Sequence, residues 1–177
     1  MLACTELASG TAQKSEDLKM SRYLSLFCLA LLFSACQTVN ELPGLANAKK
    51  HDGQMLYQTT RTSVVGDVIL RTQPSGDYDL IFSKSGAEVL QIQAHDDHLV
   101  ATGLLARNGW TGPVDRTPSL LRPWALLKQV VPYFDSNQTS AQNGKVWNAT
   151  FERKGNQLIG AKVQFYRRGS MTFSFAH

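Results

Sequence analysis

Cysteine is scarce in this sequence and is missing altogether after residue 36. The 177 residues include three cysteines, Cys4, Cys28 and Cys36. The chain beyond Cys36 therefore cannot form an internal disulfide framework or a cysteine-based metal site. It also has no thiol that could act as a nucleophile, which excludes a cysteine hydrolase for that region.

Long hydrophobic runs are missing as well. The most apolar stretch, Leu24 to Phe33, is only about ten residues long, whereas a helix that spans a bilayer needs roughly 20. This stretch follows a basic residue, Arg22, and precedes two small residues, Ser34 and Ala35. Such an arrangement is typical of a secretory signal peptide. We therefore expect the region around this stretch to direct export.

The end of the apolar stretch carries the first family resemblance. The segment Leu32-Phe33-Ser34-Ala35-Cys36 resembles the lipobox of bacterial lipoproteins, with Phe33 where leucine is usual. The resemblance implies that lipid is attached to Cys36, that the chain is cut before it, and that Gln37 allows sorting to the outer membrane, facing the periplasm. The alternative is a buried apolar helix ending in a free cysteine. The absence of a polar face on the stretch favours the lipobox.

The organisation of the chain follows from this assignment. Residues 1–19 contain acidic side chains that a signal peptide lacks at its start, so we interpret them as a non-native upstream extension. Residues 20–35 are then the signal peptide. Residues 36–53 are polar, show no sustained period and predict a flexible tether. Residues 54–177 predict one globular domain.

Composition and charge set limits on the partners of that domain. Apolar residues make up 43% and charged residues 18% of the sequence, as in ordinary globular proteins. The formal net charge is +4 and the basic residues are scattered, so we expect no nucleic-acid partner. A plain soluble surface accounts for this small excess, and proximity to anionic lipid headgroups is the alternative.

Alternation of apolar and polar side chains predicts a domain made mainly of strands. Its predicted strands, separated by short turns, cover Gln54–Arg61, Gly66–Gln73, Tyr78–Ser83, Val89–Ala94, His98–Thr102, Val146–Arg153, Leu158–Tyr166 and Met171–Phe175. Residues 107–113 and 136–144 read as loops by composition. The fold class is therefore mainly β (α+β), with a curved antiparallel sheet or an incomplete β-barrel.

One helix is predicted in the middle of the domain, at about residues 118–131. Leu120, Trp124, Leu127 and Val131 recur at spacings of four, three and four, which gives one apolar stripe. Pro132 should end the helix. We expect this helix to act as a lid on the sheet.

No cluster of residues indicates catalysis. The run His95-Asp96-Asp97-His98 contains metal-ligand types, but consecutive side chains at a hairpin tip diverge, so a solvated turn is favoured over a metal site. The sequence has no Gly-x-Ser-x-Gly motif and no phosphate-binding glycine loop. We therefore predict that the protein is not an enzyme and has no cofactor and no bound metal.

Large apolar side chains concentrate around the predicted helix and the loop before it. Trp110, Leu121, Trp124 and Leu127 are the candidate ligand-binding residues. A filled hydrophobic core is the simpler interpretation of this cluster. The functional interpretation is an apolar cleft beneath the helix, because one helix has few side chains with which to fill a curved sheet.

The order of these elements resembles the LolA/LolB superfamily of lipoprotein carriers and receptors. The resemblance covers roughly residues 54–175 and rests on the architecture and on three segments, Gly66-Asp67-Val68-Ile69-Leu70, Asp77-Tyr78-Asp79-Leu80 and Pro118–Val131. It implies an incomplete barrel whose apolar interior accepts acyl chains of lipids or lipoproteins, with a role in outer-membrane trafficking. The alternative is a non-catalytic accessory lipoprotein of an envelope assembly, with a filled core.

Overall fold

Ten β-strands dominate the part of the chain that the structure, a computed structural model, describes, which is residues 44–107 and 109–176. Cys36, the signal peptide and the first part of the predicted tether lie outside the described residues. The strands are β1 (Lys49–Gln58), β2 (Ser63–Thr72), β3 (Tyr78–Lys84), β4 (Ala87–His95), β5 (His98–Thr102), β6 (Trp110–Pro113), β7 (Ser140–Asn143), β8 (Trp147–Lys154), β9 (Gln157–Phe165) and β10 (Gly169–Phe175). The described helix α1 covers Arg122–Leu127.

All ten strands belong to one antiparallel sheet. Its order is β6-β5-β4-β3-β2-β1-β10-β9-β8-β7, so two meanders, β1 to β6 and β7 to β10, meet where β1 pairs with β10. The sheet is not closed, because β6 and β7 form its two edges. These findings confirm the predicted mainly β class and the antiparallel sheet, and a curved sheet fits them.

The pairing of β1 with β10 brings two backbones unusually close. Gly53 lies opposite Phe175 in this pairing. A Cβ atom at Gly53 would be 2.7 Å from the Phe175 Cα and would overlap the carbonyl oxygen of Ser174. Glycine is therefore required here by the close approach of the neighbouring strand rather than by a turn.

One face of the sheet is apolar and forms the core with residues of the segment between β6 and β7. On β8, Trp147, Ala149 and Phe151 are buried and the residues between them are exposed, as the alternation predicts. We call residues 114–139 the insert. It contributes a large share of the core, including Trp124, Leu127 and Phe134. A single core cluster thus contains both meanders and the insert.

The predicted helix is much longer than the observed one. Instead of about 118–131, α1 covers only Arg122–Leu127, and a separate 3-10 turn follows at Val131–Tyr133. The hydroxyl of Thr117 donates to the carbonyl of Val114 and does not cap α1. After Leu127 the backbone hydrogen bonds change to the 3-10 pattern, with the N–H of Val130 bound to the carbonyl of Leu127, so α1 ends five residues before Pro132. Of the predicted stripe, Leu120 is exposed and the other three residues are buried.

Three predicted non-strand regions contain strand residues. The loop 107–113 includes β6, the loop 136–144 includes β7, and residues 49–53 of the predicted tether belong to β1. β6 and β7 are edge strands of four residues each. Pairing with a single neighbour tolerates Gly112 and Pro113 in β6, and the short, largely exposed β7 has no apolar alternation. Their composition therefore gave no sign of them.

Among the described helices, none has the length and apolar character needed to cross a bilayer.

Candidate functional site

The structure places the four predicted ligand-binding residues in or against the core. Leu121, Trp124 and Leu127 are 3%, 1% and 0% exposed, and they belong to the same cluster. Trp110, on the edge strand β6, is partly buried and packs against that cluster. The helical spacing correctly placed Trp124 and Leu127 on one buried face, whereas Leu121, which is not part of the predicted stripe, is buried in the same cluster.

The interior around these residues is filled. A side chain that lined a cavity wide enough for water would keep exposed surface towards it, and Trp124 and Leu127 keep almost none. The indole of Trp124 packs against the ring of Tyr57, with 5.0 Å between the ring centroids. In this conformation the insert occupies the space that an acyl chain would need.

The hydroxyl of Tyr78 fastens α1 to the sheet. It donates a hydrogen bond of 2.6 Å to the carbonyl oxygen of Trp124. Burial, with a further contribution from the charge of Asp79, raises the pKa of Tyr78 well above its ordinary value. The phenol therefore stays protonated, which keeps it available as a donor.

An ion pair fastens the end of the helix to the turn between β2 and β3. The ammonium group of Lys128 binds the carboxylate of Asp77, and both side chains are mostly shielded from solvent. Burial alone would raise the pKa of Asp77, but hydrogen bonds from Lys128, Ser75 and the N–H of Asp96, with the charge of Lys128, outweigh it and lower the pKa. Asp77 therefore stays ionised and paired at neutral pH.

Two further side chains hold the rest of the insert. Arg153 on β8 donates to the carbonyl oxygens of Tyr133 and Phe134, at 3.0 and 2.9 Å. Gln129 in the insert accepts hydrogen bonds of 3.0 Å from Asn143 and from the indole of Trp147. The insert is thus bound to both meanders by polar contacts as well as by its apolar side chains.

Sequence reasoning missed all of these contacts. The partners are far apart in the chain, with Tyr78 and Trp124 separated by 46 residues and Asp77 and Lys128 by 51. No local period or motif signals such a pair. The one indirect signal was the Asp77-Tyr78 segment, which is part of the family resemblance and whose two side chains both contact the insert.

A second polar group lies where β1, β2 and the end of the insert meet. The Thr72 hydroxyl donates to Asp135 Oδ2 at 3.2 Å and lies 3.3 Å from His51 Nε2. Asp135 Oδ1 lies 2.8 Å from the ammonium of Lys49 and 3.8 Å from His51 Nε2, although no donor is aligned on that oxygen as a hydrogen bond. The distance still makes Lys49 and Asp135 an ion pair.

The residue types of this group resemble those of a catalytic triad, but its geometry does not suit one. Thr72 is 1% exposed, so its hydroxyl has no room for a substrate carbonyl. The same nitrogen of His51 faces both Thr72 and Asp135, whereas a triad uses the two ring nitrogens separately. Within the described structure, the group acts as a structural link between the sheet and the insert.

The run His95-Asp96-Asp97-His98 forms the turn between β4 and β5. Asp96 has a φ of 50°, typical of a tight turn, and the imidazole of His95 is directed to Asp79 at 2.7 Å. His98 is paired with Asp97 at 2.6 Å. Among residues 44–107 and 109–176, no three histidine, cysteine, aspartate or glutamate side chains are arranged to hold a metal ion.

Burial of His51 makes the link between sheet and insert sensitive to pH. Desolvation lowers the pKa of His51 below its ordinary value of 6.5, against the charge of Asp135, which raises it. The unfolded chain then binds the proton more readily, so stability is complete above about pH 6.5 and falls as the pH decreases from there. We expect urea unfolding of His51→Gln to lose this dependence, which is at most about 1.4 kcal/mol per pH unit.

The matched control is His98→Gln, at an exposed histidine, and this variant should keep the pH dependence of the wild type. Parallel loss of unfolding free energy between pH 7.5 and 5.5 in the wild type and in His51→Gln would contradict this account.

No protein-family model matches the sequence, and no curated protein matches it either. The resemblance to lipoprotein carriers and receptors therefore remains a prediction, and the geometry of the sheet and its insert is the basis for a functional proposal.

Proposed function

We propose that the chain is a membrane-anchored lipoprotein whose β domain binds acyl chains of lipids or lipoproteins inside its curved sheet. The lipid on Cys36 would hold it at the outer membrane, facing the periplasm. One observation carries the proposal: a ten-stranded sheet with an apolar inner face is left unclosed, and a single short insert covers that face. The insert would act as a lid on an incomplete barrel.

The position of the insert supports this role. It begins directly after the edge strand β6 and ends directly before the opposite edge strand β7. A segment attached at both edges can move away from the inner face without breaking any pairing between strands. An incoming acyl chain would then restore the lost apolar burial, at about 0.8 kcal/mol for each CH₂ group.

The polar contacts of the insert fit such a movement. If the insert moved away, the carboxylate of Asp77 and the ammonium of Lys128 would separate and be exposed to water, which solvates charged groups well. The hydrogen bond between Tyr78 and Trp124 is buried and would be the last to be replaced. The insert would therefore leave the sheet only when a ligand compensates for the loss.

A second function has its own supporting observation. The almost complete burial of Leu121, Trp124 and Leu127 is what a permanently filled core requires. The protein would then be a non-catalytic accessory lipoprotein of an envelope assembly and would work through its outer surface. The two functions differ in whether the insert ever leaves the sheet.

The anchoring part is tested by substitution of two cysteines. In a bacterial host supplied with radiolabelled palmitate, we expect Cys36→Ser to lose the label and to remain uncut, because both modification and cleavage depend on that thiol. Cys28→Ser is the matched control, since Cys28 lies inside the apolar stretch, and it should keep the label. Equal labelling of the wild type and Cys36→Ser would refute the anchor.

The acyl-binding part is tested by quenching of tryptophan fluorescence. A chain beginning at Gln37 lacks the anchor cysteine but keeps the compact unit Val39–His177, with the whole described sheet and core. Three variants retain Trp110, Trp124 or Trp147 alone, the others being replaced by phenylalanine. We expect a brominated fatty acid to quench the Trp124 variant most, because Trp124 lies on the side of the insert that faces the sheet and would line the space that the acyl chain enters.

The same fatty acid without bromine is the control and should leave the emission intensity nearly unchanged. Absence of quenching at Trp124, together with lipid-free native mass spectra, would favour the accessory lipoprotein with a filled core.

A further inference from the structure

Four basic side chains gather at one end of the sheet. They surround a groove of about 550 Å³, which lies between the start of α1 and the turns β7–β8 and β9–β10. The groove is lined by Arg122, Leu126, Lys145, Val146, Tyr166, Arg167 and Arg168. A neighbouring depression of about 350 Å³ shares Lys145, Tyr166 and Arg167 with it. No acidic side chain lines either one. We call this surface the basic groove.

The positive charge of the basic groove is not neutralised by the described residues. None of its four cations forms an ion pair with a carboxylate in the described part of the chain. The guanidinium of Arg122 donates to the backbone carbonyls of Val114 and Asp115, at 3.1 and 2.8 Å, so it is oriented without losing its charge. The guanidinium of Arg167 lies 5.2 Å from the ring centroid of Tyr166. The groove therefore presents cations that are free to bind an anion.

Apolar side chains are exposed among these cations. Tyr166 and Val146 are 54% and 42% exposed, and they are among the five large apolar side chains that the described residues expose. Cations beside an exposed tyrosine and an exposed valine match the boundary between lipid headgroups and acyl chains, where each kind of side chain finds its preferred surroundings. A site for free phosphate would need the cations alone.

We propose that the basic groove docks on a bilayer that contains anionic phospholipid. Lipid phosphates bind Arg122, Lys145, Arg167 and Arg168, while Tyr166 and Val146 reach the acyl boundary. Each basic residue near an anionic bilayer strengthens binding several-fold, and the attraction weakens as salt rises. This contact involves neither Cys36 nor the interior of the sheet, so it stands or falls separately from the proposed anchor and acyl binding.

The experiment measures sedimentation of the chain beginning at Gln37 with vesicles. One set is phosphatidylcholine alone and the other contains about a third phosphatidylglycerol, since anionic lipid is the source of the attraction. We expect the wild type to bind the anionic vesicles at least tenfold more tightly. The triple variant Lys145→Glu, Arg167→Glu, Arg168→Glu should weaken this binding by about 100-fold, because three cations are lost.

A triple variant elsewhere on the surface provides the matched control. Lys84→Glu, Lys154→Glu, Lys162→Glu changes the net charge equally, and all three residues are exposed and lie outside the groove. It should keep binding within a few-fold of the wild type. Equal weakening by both triple variants would overturn the proposal, because the effect would then come from net charge. Arg122 is left intact, since its bonds support the insert.

Two further measurements separate a bilayer from other anions. The double variant Val146→Ser, Tyr166→Ser leaves the charge unchanged and should weaken vesicle binding severalfold, whereas no effect would contradict docking at the acyl boundary. Inorganic phosphate should displace the protein from vesicles no better than sodium chloride of equal ionic strength. Stronger displacement by phosphate would assign the groove to a free anion instead. Equal thermal unfolding midpoints of all variants show that their folds are intact.

Discussion

The inner face of the sheet has to be covered, and the rest of the structure depends on how this is done. A closed barrel would cover its own interior, but here β6 and β7 remain apart as edges. The insert between them supplies the missing apolar side chains, with Trp124, Leu127 and Phe134 at its centre. Removal of the Trp124 side chain alone would destabilise such a core by about 3–5 kcal/mol. The insert is therefore part of the folded core, and among the described residues it is the segment that we propose as a movable lid.

The polar contacts determine how firmly the insert is bound to the sheet. The Tyr78 hydroxyl, the Asp77–Lys128 pair and Arg153 each bind a different part of the insert, so no single contact controls it. Their strength depends on burial, because water competes with every one of them once the insert is raised. The same dependence underlies the predicted acid response of the link at His51, since a buried imidazole resists protonation.

The sequence predicted those features that depend on neighbouring residues. Alternation along Trp147, Ala149 and Phe151 identified β8, and helical spacing brought Trp124 and Leu127 to one face. The lengths of β6 and β7 were not predictable, because edge pairing determines them. The early end of α1 at Leu127, five residues before Pro132, has no local signal in the sequence either. Whether the interior is filled is a matter of volume, which no local pattern encodes. The basic groove could not be predicted either, because Arg122, Lys145 and Arg167 are far apart in the sequence and come together only in the fold.

A lipid anchor on Cys36, a displaceable insert and the basic groove would together suit a protein that works on lipid at a membrane surface. The central claim is that the insert leaves the sheet when an acyl chain binds. Hydrogen exchange of the backbone amides of α1 and Val131–Tyr133, measured with and without a long-chain fatty acid, tests it most directly. We expect faster exchange in these segments with the fatty acid present, and unchanged exchange in β1 and β10. Unchanged or slower exchange in the insert would contradict it and would leave a permanently filled core.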